Sequence, residues 1–153
     1  MTEIALDAIG TPHKWGGTDA NKFDCSGLVQ FAYDRVGISL PRVRTAQMRA
    51  GGPISLNPDL FRAGDILGLS TTEPDKTSHL GLYVGDGEFI HSNSSGVRIS
   101  SMQNVYWQDH IKAARRIVYS TLPGAVGAVR TGSLPPGDSC DSAIGLLFTA
   151  QGA

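Results

Sequence analysis

Residues 78–92 read SHLGLYVGDGEFIHS, two apolar runs joined by Gly85-Asp86-Gly87. Glycine and aspartate readily adopt the left-handed backbone conformations that tight hairpin turns require. The stretch therefore predicts two adjacent antiparallel strands. Further runs that are typical of strands lie at residues 65–69, 97–99 and 111–119. The second half of the folded part of the chain is expected to form an antiparallel sheet.

The residues before this sheet favour helices. Apolar side chains recur at helical spacing over residues 25–36, and Gly37 lies where such a helix would end. Shorter helices are expected at residues 2–9 and 45–50. Helices followed by an antiparallel meander are typical of an α+β fold. We therefore expect N-terminal helices packed on a five- to six-stranded antiparallel sheet.

Chain length and composition bound the number of domains and the class of partner. The 153 residues suffice for one domain, which we expect at residues 1–121, while the Gly/Pro-rich residues 122–153 are expected to form a flexible or partly docked tail. A formal net charge of −1 disfavours nucleic acid and anionic membrane surfaces as partners. No apolar run is long enough for a membrane helix, and the first residues lack the pattern of a signal peptide.

Cys25 lies at the predicted N-terminus of the longest helix. Unpaired backbone N–H groups and the helix dipole at that position favour a thiolate, which is the nucleophilic form of cysteine. The residue pattern thus fits a cysteine hydrolase. A buried structural cysteine is the alternative, because free cysteine is among the most buried residue types.

His79 and His91 flank the predicted hairpin and are candidates for the base and its orienting partner. If the loop has two residues, the two side chains face opposite sides of the sheet. If it has three residues, they share one face, ~7–8 Å apart at the backbone, which imidazole rings can bridge. Exposed surface histidines are one alternative, and a metal site that includes Cys25 is another. The spacing matches no zinc motif, so no metal is expected.

Several longer segments occur in a characteristic order: HKWGGTDANKFDCSG at residues 13–27, then LVQFAY, SLPR, RAGDIL, SHLGLYVGDGEFIHS, VRISSM and AARRI. Over residues 8–118 this order and spacing resemble the NlpC-type cell-wall cysteine peptidases, papain-like hydrolases of bacterial peptidoglycan stem peptides. The resemblance implies a papain-like NlpC-type fold. It also implies cleavage of an amide bond in the stem peptide, most often between D-γ-glutamate and a diamino acid such as diaminopimelate, with no cofactor.

The resemblance assigns catalytic roles where the motifs match. Cys25 in DCSG resembles the nucleophile, His79 in SHLG the general base, and His91 in FIHS the residue that orients the base. Replacing Cys25 with alanine is then expected to abolish hydrolysis. Oxidation to a Cys25–Cys140 disulfide is a possible way to silence the nucleophile until it is reduced.

Four further residues are candidates for binding the substrate or the oxyanion. Asp24 and Ser26 correspond to positions where family members contact the amino side of the substrate, although Asp24 also fits a plain helix cap. Trp15 is placed to line the cleft or to lie in the core. His13 stands where the family commonly has a tyrosine that helps to hold the oxyanion; an imidazole N–H can replace that donor and would add a pH dependence.

The expected place of action is the cell wall, in the periplasm or outside the cell, and the expected form is a monomer. Three routes of delivery fit a chain without a signal peptide: a phage lysin or tail component, an antibacterial effector injected by a secretion apparatus and matched by an immunity protein, or a domain of a longer protein. An amidase or acyltransferase acting on another acyl substrate is an alternative function. A non-catalytic phage-tail or structural module is a second.

Overall fold

The computed structural model describes residues 1–117 and the backbone of residues 130–131 and 146–147. The domain boundary expected near residue 121, the interior of the expected tail and Cys140 lie outside the described residues. No helix in the described part of the chain is both long enough and apolar enough to cross a bilayer.

The described residues form four α-helices, one 3₁₀ helix and ten short strands. The helices are α1 at Thr2–Asp7, α2 at Cys25–Asp34, α3 at Arg44–Gln47 and α4 at Val105–His110, and the 3₁₀ helix is at Pro58–Leu60. The strands are β1 at Thr18–Asp19, β2 at Lys22–Phe23, β3 at Gly52–Pro53, β4 at Ile66–Leu69, β5 at His79–Gly85, β6 at Glu88–Asn93, β7 at Gly96–Ser101, β8 at Ile111–Arg116, β9 at Arg130–Thr131 and β10 at Leu146–Leu147.

Six of these strands form one antiparallel sheet in the order β3-β8-β4-β5-β6-β7. The predicted α+β class and the upper value of the expected strand number are confirmed. The sequence did not predict β3, whose Pro53 lies on an edge strand, where a residue without an N–H does not interrupt the ladder. Two small two-stranded ladders, β1-β2 and β9-β10, lie outside this sheet.

Apolar side chains cover both faces of the sheet. Successive residues of a strand point to opposite faces, so Ile66 of β4 belongs to one core and Leu67 to the other. The first core packs α1 and α2 against the sheet, with Leu28 of α2 and Leu80 of β5 both fully buried. The second core is smaller and has Phe89 among its buried members. The long helix is thereby fixed against the central strands.

The turn between β5 and β6 has two residues. Asp86 and Gly87 both have positive φ angles, 53° and 74°, and Gly85 pairs with Glu88 across them. This combination is the Asp-Gly turn whose twist matches that of the flanking strands. Taken alone, such a turn would place the two hairpin histidines on opposite faces.

A β-bulge in β5 reverses that outcome. The register shifts between Tyr83 and Gly85, and beyond the shift Tyr83 pairs with Phe89. The extra residue on one strand restores the register that a three-residue loop would have produced. His79 and His91 therefore lie on one face, as the three-residue alternative predicted, although the loop itself is shorter.

Several local predictions differ from the structure. Helix α2 ends at Asp34 rather than Val36, and the hairpin of β1 and β2 lies where a loop was expected. Helix α4 was not predicted, because its six residues are too few for a helical period to show. Its N-cap is the signal that could have indicated it: the side chain of Asn104 accepts the backbone N–H of Tyr106 at 3.0 Å.

Gly27, in the first turn of α2, lies against the backbone of the loop before it. A Cβ atom added at Gly27 would lie 1.9 Å from the carbonyl oxygen of Gly17. That same oxygen accepts the backbone N–H of Asp24, so it cannot move without losing a hydrogen bond. The absence of a side chain at Gly27 therefore allows the loop to close over the start of α2.

We expect Gly27→Ala to lower the free energy of unfolding by about 3 kcal/mol, the upper end of the range for overpacked sites. The reason is the close approach of the Gly17 carbonyl group, which is backbone and cannot rotate away. Urea denaturation followed by circular dichroism measures the change. Gly52→Ala is the matched control, because nothing lies within 4 Å of its added Cβ atom. Equal urea midpoints for the two variants would contradict this packing.

Candidate active site

Cys25 is the first residue of α2, as the sequence predicted. Asp24 is the N-cap: its Oδ1 accepts the backbone N–H of Gly27 at 2.6 Å. The Cys25 thiol also lies beside the start of β5, since the backbone N–H of Leu80 donates a hydrogen bond to it. Leu80 directly follows His79 in the chain, so the fold brings the cysteine and this histidine to the same place.

Burial raises the pKa of the Cys25 thiol above its ordinary value. The backbone hydrogen bond from Leu80 and the positive charge of Arg44 oppose this rise without overcoming it, and the Asp24 carboxylate adds to it. The expectation that the helix N-terminus makes Cys25 a thiolate at rest is therefore wrong. Removal of the thiol from water outweighs the favourable helix end.

His79, His91 and Ser100 form a continuous hydrogen-bonded chain. His79 Nε2 lies 2.8 Å from His91 Nδ1, and His91 Nε2 lies 2.8 Å from Ser100 Oγ. When both rings are neutral and carry their protons on Nε2, each hydrogen bond has one donor and one acceptor. This arrangement leaves Nδ1 of His79 unprotonated, and a nitrogen in that state can accept the proton of a thiol.

His91 is held by aromatic neighbours as well as by hydrogen bonds. It is only 1% exposed, and its ring centroid lies 5.1 Å from those of both Phe89 and Trp107. Burial, the charge of His79 and the charge of Arg98 lower the pKa of His91 to about 3. Its ring is therefore neutral near pH 7 and orients His79 without supplying the negative charge that a carboxylate would bring.

His79 is neutral near pH 7 for related reasons. Burial lowers its pKa to about 4, and the positive charges of His13 and Arg44 contribute to this shift. A protonated His79 would have no anionic partner in this chain, since the group hydrogen-bonded to its Nε2 is the neutral His91. Near pH 7 the site therefore holds a thiol and a neutral imidazole.

We expect alkylation of Cys25 by iodoacetamide to be slow at pH 5–8 and to accelerate about tenfold per pH unit up to and beyond pH 9. Only the thiolate reacts, and burial holds the pKa of this thiol above its ordinary value. A Cys140→Ser protein restricts the reaction to Cys25, and intact mass spectrometry follows it. A rate already maximal at pH 6 would instead indicate a thiolate–imidazolium pair.

Asp24 is hydrogen-bonded to several neighbouring groups. In addition to the Gly27 contact, its Oδ2 accepts the Nη2 donor of Arg42 at 2.6 Å and the backbone N–H of Gly16 at 3.0 Å. Burial acts to raise the pKa of Asp24, but these hydrogen bonds outweigh it and hold the pKa below its usual value. Arg42 also donates from Nη1 to Ser26 Oγ at 2.9 Å. Asp24 is therefore both a helix cap and half of an ion pair.

The hydrogen bonds of His13 define its tautomer. Ser92 donates its hydroxyl hydrogen to the carbonyl oxygen of Phe23 at 2.8 Å. His13 Nδ1 lies 3.0 Å from Ser92 Oγ and must be the donor of that bond, because the serine has a single hydrogen to give. In its neutral form His13 then has no proton on Nε2. It can donate to an oxyanion through Nε2 only when it is protonated.

Trp15 is 88% exposed, so the alternative that placed it in the core is wrong. The sequence analysis also missed residues that the structure places beside the predicted ones. Arg42 and Ser100 are two of them, and Arg44 is a third: its Nη1 donates to the carbonyl oxygen of Ser78 at 2.8 Å. Arg42 lies in the SLPR segment, and this segment is the sequence signal by which Arg42 could have been found.

No cluster of three or more His, Cys, Asp or Glu side chains that could hold a metal ion occurs in the part of the chain that the structure describes. The alternative in which Cys25 and the two hairpin histidines ligate a metal has no such cluster to support it there. What the arrangement offers chemically is a nucleophile, a neutral base and a group that orients the base.

Residues 10–116 match the model of the NlpC/P60 family. The chain is 40% identical over 115 residues to the bifunctional muramidase/DL-endopeptidase CwlT of Bacillus subtilis, an alignment that covers 74% of this chain and 34% of that protein. It is 36% identical over 125 residues to the murein DD-endopeptidase MepH of Escherichia coli, covering 76% of this chain and 46% of that one. The chain thus spans about a third to a half of the length of these curated relatives.

Among solved structures, the NlpC/P60 domain of the peptidoglycan hydrolase SagA superposes with a TM-score of 0.63 at 31% identity. The superposition covers 75% of this chain and 94% of that domain. The predicted NlpC-type fold is confirmed by this similarity.

Proposed function

The chain belongs to the NlpC/P60 family, and from that premise we propose that it is a peptidoglycan hydrolase, a cysteine endopeptidase that cleaves an amide bond of the stem peptide in the cell wall. The observation that carries the proposal is the hydrogen-bonded chain from His79 through His91 to Ser100. Its first residue directly precedes Leu80, whose backbone N–H donates to the Cys25 thiol. This chain orients a neutral base at the N-terminus of the helix that bears the thiol.

In the proposed mechanism, Cys25 transfers its proton to Nδ1 of His79 as the sulfur attacks the carbonyl carbon of the scissile amide. The backbone N–H of Cys25 donates a hydrogen bond to the oxyanion that forms. His79 then gives the proton to the leaving amine, and the C–N bond breaks to leave a thioester on Cys25. Water, deprotonated by His79, hydrolyses the thioester and restores the thiol.

The neighbouring groups have proposed roles in binding. Asp24 and Ser26 contact the amino side of the substrate, with Arg42 holding both in place. His13 assists the oxyanion in its protonated form, which its tautomer requires. Trp15, whose ring is exposed, covers the bound peptide from the loop.

The proposed scissile bond joins D-γ-glutamate to diaminopimelate. Relatives carry the names DL-endopeptidase and DD-endopeptidase, so the position of cleavage is the first property to measure. Muropeptides of the diaminopimelate type are incubated with the protein and separated by liquid chromatography with mass spectrometry. The proposal predicts new fragments that end in D-glutamate.

Other products would identify a different enzyme. Cleavage of the D-alanyl cross-link would indicate a DD-endopeptidase, and release of an intact stem peptide from muramic acid would indicate an amidase. Either result retains the cysteine hydrolase and overturns the proposed bond. If no muropeptide is cleaved by folded, reduced protein, the peptidoglycan hydrolase itself is contradicted.

A further inference from the structure

A groove of about 410 Å³ opens next to the candidate active site. Its lining contains three cationic side chains and, among the residues that the structure describes, no acidic one: Arg44, Thr45, Met48, Arg49, Lys76 and Thr77. Arg44 links the groove to Cys25 and His79, since its positive charge opposes the rise in the pKa of Cys25 and contributes to the lowered pKa of His79. An anionic ligand in this groove would therefore lie close to the reacting groups.

Arg44 differs from two other half-buried arginines in its lack of an acidic partner. Arg42 forms an ion pair with Asp24 at 2.6 Å, and Arg116 forms one with Asp65 at 2.8 Å. Within residues 1–117, Arg44 has no carboxylate partner: Nη1 donates to a backbone carbonyl group, and the buried Nε has no acceptor. A guanidinium group that has no carboxylate partner and lines a groove is suited to a carboxylate ligand, because a charge-assisted hydrogen bond between the two is strong.

The position of Arg44 is fixed by its short helix. Gln47, at the other end of α3, is fully buried, and its Nε2 donates to the carbonyl oxygens of Ser26 and Pro41 at 2.9 and 2.8 Å. These bonds tie α3 to the first turn of α2, which bears Cys25. The distance from the guanidinium group to the nucleophile is thereby set by the fold, as a specificity-determining residue requires.

We propose that this groove is a subsite in which Arg44 binds a free carboxylate of the stem peptide, so that the protein selects unamidated over amidated peptidoglycan. The inference rests on the proposed function and adds a substrate preference to it. A stem peptide has two suitable groups: the α-carboxylate that γ-linked D-glutamate leaves free, and the carboxylate of diaminopimelate outside the peptide chain. Amidation removes the charge from either one.

Binding to the catalytically inactive Cys25→Ala protein tests the preference without hydrolysis. The probes are three synthetic peptides of sequence L-alanyl-γ-D-glutamyl-diaminopimelate: unmodified, amidated on glutamate, or amidated on diaminopimelate. Isothermal titration calorimetry gives each Kd. We expect one amidation to weaken binding about 10- to 100-fold, the range for a lost charge-assisted hydrogen bond, and the position of that amide identifies the carboxylate.

Arg44 variants in the same background assign the preference to this residue. Arg44→Gln is expected to bring the ratio of the two Kd values close to 1, while Arg44→Lys keeps the charge and part of the ratio. Arg62→Gln, which removes an exposed cation outside the groove, is expected to keep the full ratio. Thermal melts verify that each variant is folded.

Two results would overturn this subsite: equal affinity for all three peptides, or a ratio that survives in Arg44→Gln. The muropeptide digestion separates this failure from failure of the proposed function. If muropeptides are cleaved but amidation has no effect on binding, the endopeptidase stands and the subsite falls. If none is cleaved and no peptide binds, both fall.

Discussion

Replacing Cys25 with alanine is expected to reduce the rate of muropeptide cleavage by at least ~1,000-fold, because the proposed mechanism has no other nucleophile to form the thioester. The fold should be little affected. Only the sulfur is lost, and the hydrogen bond from Asp24 that caps α2 does not involve the side chain of residue 25. Liquid chromatography with mass spectrometry measures the initial rate, and thermal unfolding monitors the fold.

Cys140→Ser is the matched cysteine variant for this experiment. It is expected to retain the rate of cleavage in reducing buffer. The same variant tests for a Cys25–Cys140 disulfide. If that bond forms in oxidising buffer, wild-type protein loses activity there, whereas the Cys140→Ser protein keeps it. If the Cys25→Ala protein cleaves muropeptides at more than a tenth of the wild-type rate, Cys25 is not the nucleophile.

Replacing His79 with alanine is expected to have an effect of similar size, a loss of ~1,000-fold or more, because proton transfer to and from the reacting groups depends on this ring. The loss should extend over the whole range of pH 5–8. Burial lowers the pKa of His79 to about 4, so in wild-type protein the base is already neutral above pH 5 and its rate should not fall until the pH approaches that value. Initial rates of the wild-type and His79→Ala proteins, measured from pH 5 to pH 8, test both the uniform loss in the variant and the constant wild-type rate.

His110→Ala serves as the control for loss of a histidine. His110 lies at the end of α4, where its ring stacks on Tyr106 and its Nδ1 hydrogen-bonds the Tyr106 carbonyl oxygen rather than a member of the His79–His91–Ser100 chain. The His110→Ala protein should keep the wild-type rate of cleavage and the wild-type pH profile. A wild-type acid limb near pH 6.5, or a His79→Ala protein as active as His110→Ala, would contradict the assignment of His79 as a neutral base.

The sequence located the candidate site because its strongest signals are local. An alternating pattern around GDG predicts a hairpin, and strand periodicity limits where two histidines on it can point. The choice between the two loop lengths could not be made from the sequence, because the bulge at Val84 is set by how the hairpin packs in the sheet. The strand register that places both histidines on one face therefore depends on the bulge, which no local sequence pattern indicates.

Other parts of the site depend on contacts between distant segments. Ser100 meets His91 only because β7 pairs with β6, and Arg44 reaches Ser78 across 34 positions of sequence. The protonation state of Cys25 was mispredicted for a similar reason. The helix N-terminus is visible in the sequence, whereas the burial that outweighs it arises when α2 packs against β5.

The central claim, that Cys25 forms a covalent acyl-enzyme with the stem peptide, is tested most directly by trapping the intermediate. Protein mixed with the diaminopimelate-type peptide is quenched in acid within milliseconds and analysed by intact mass spectrometry, followed by peptide mapping. The account predicts an adduct on Cys25 whose mass equals that of the amino-side product, ending in D-glutamate, less one water. Products that form without any adduct, or an adduct that maps to another residue, would contradict it.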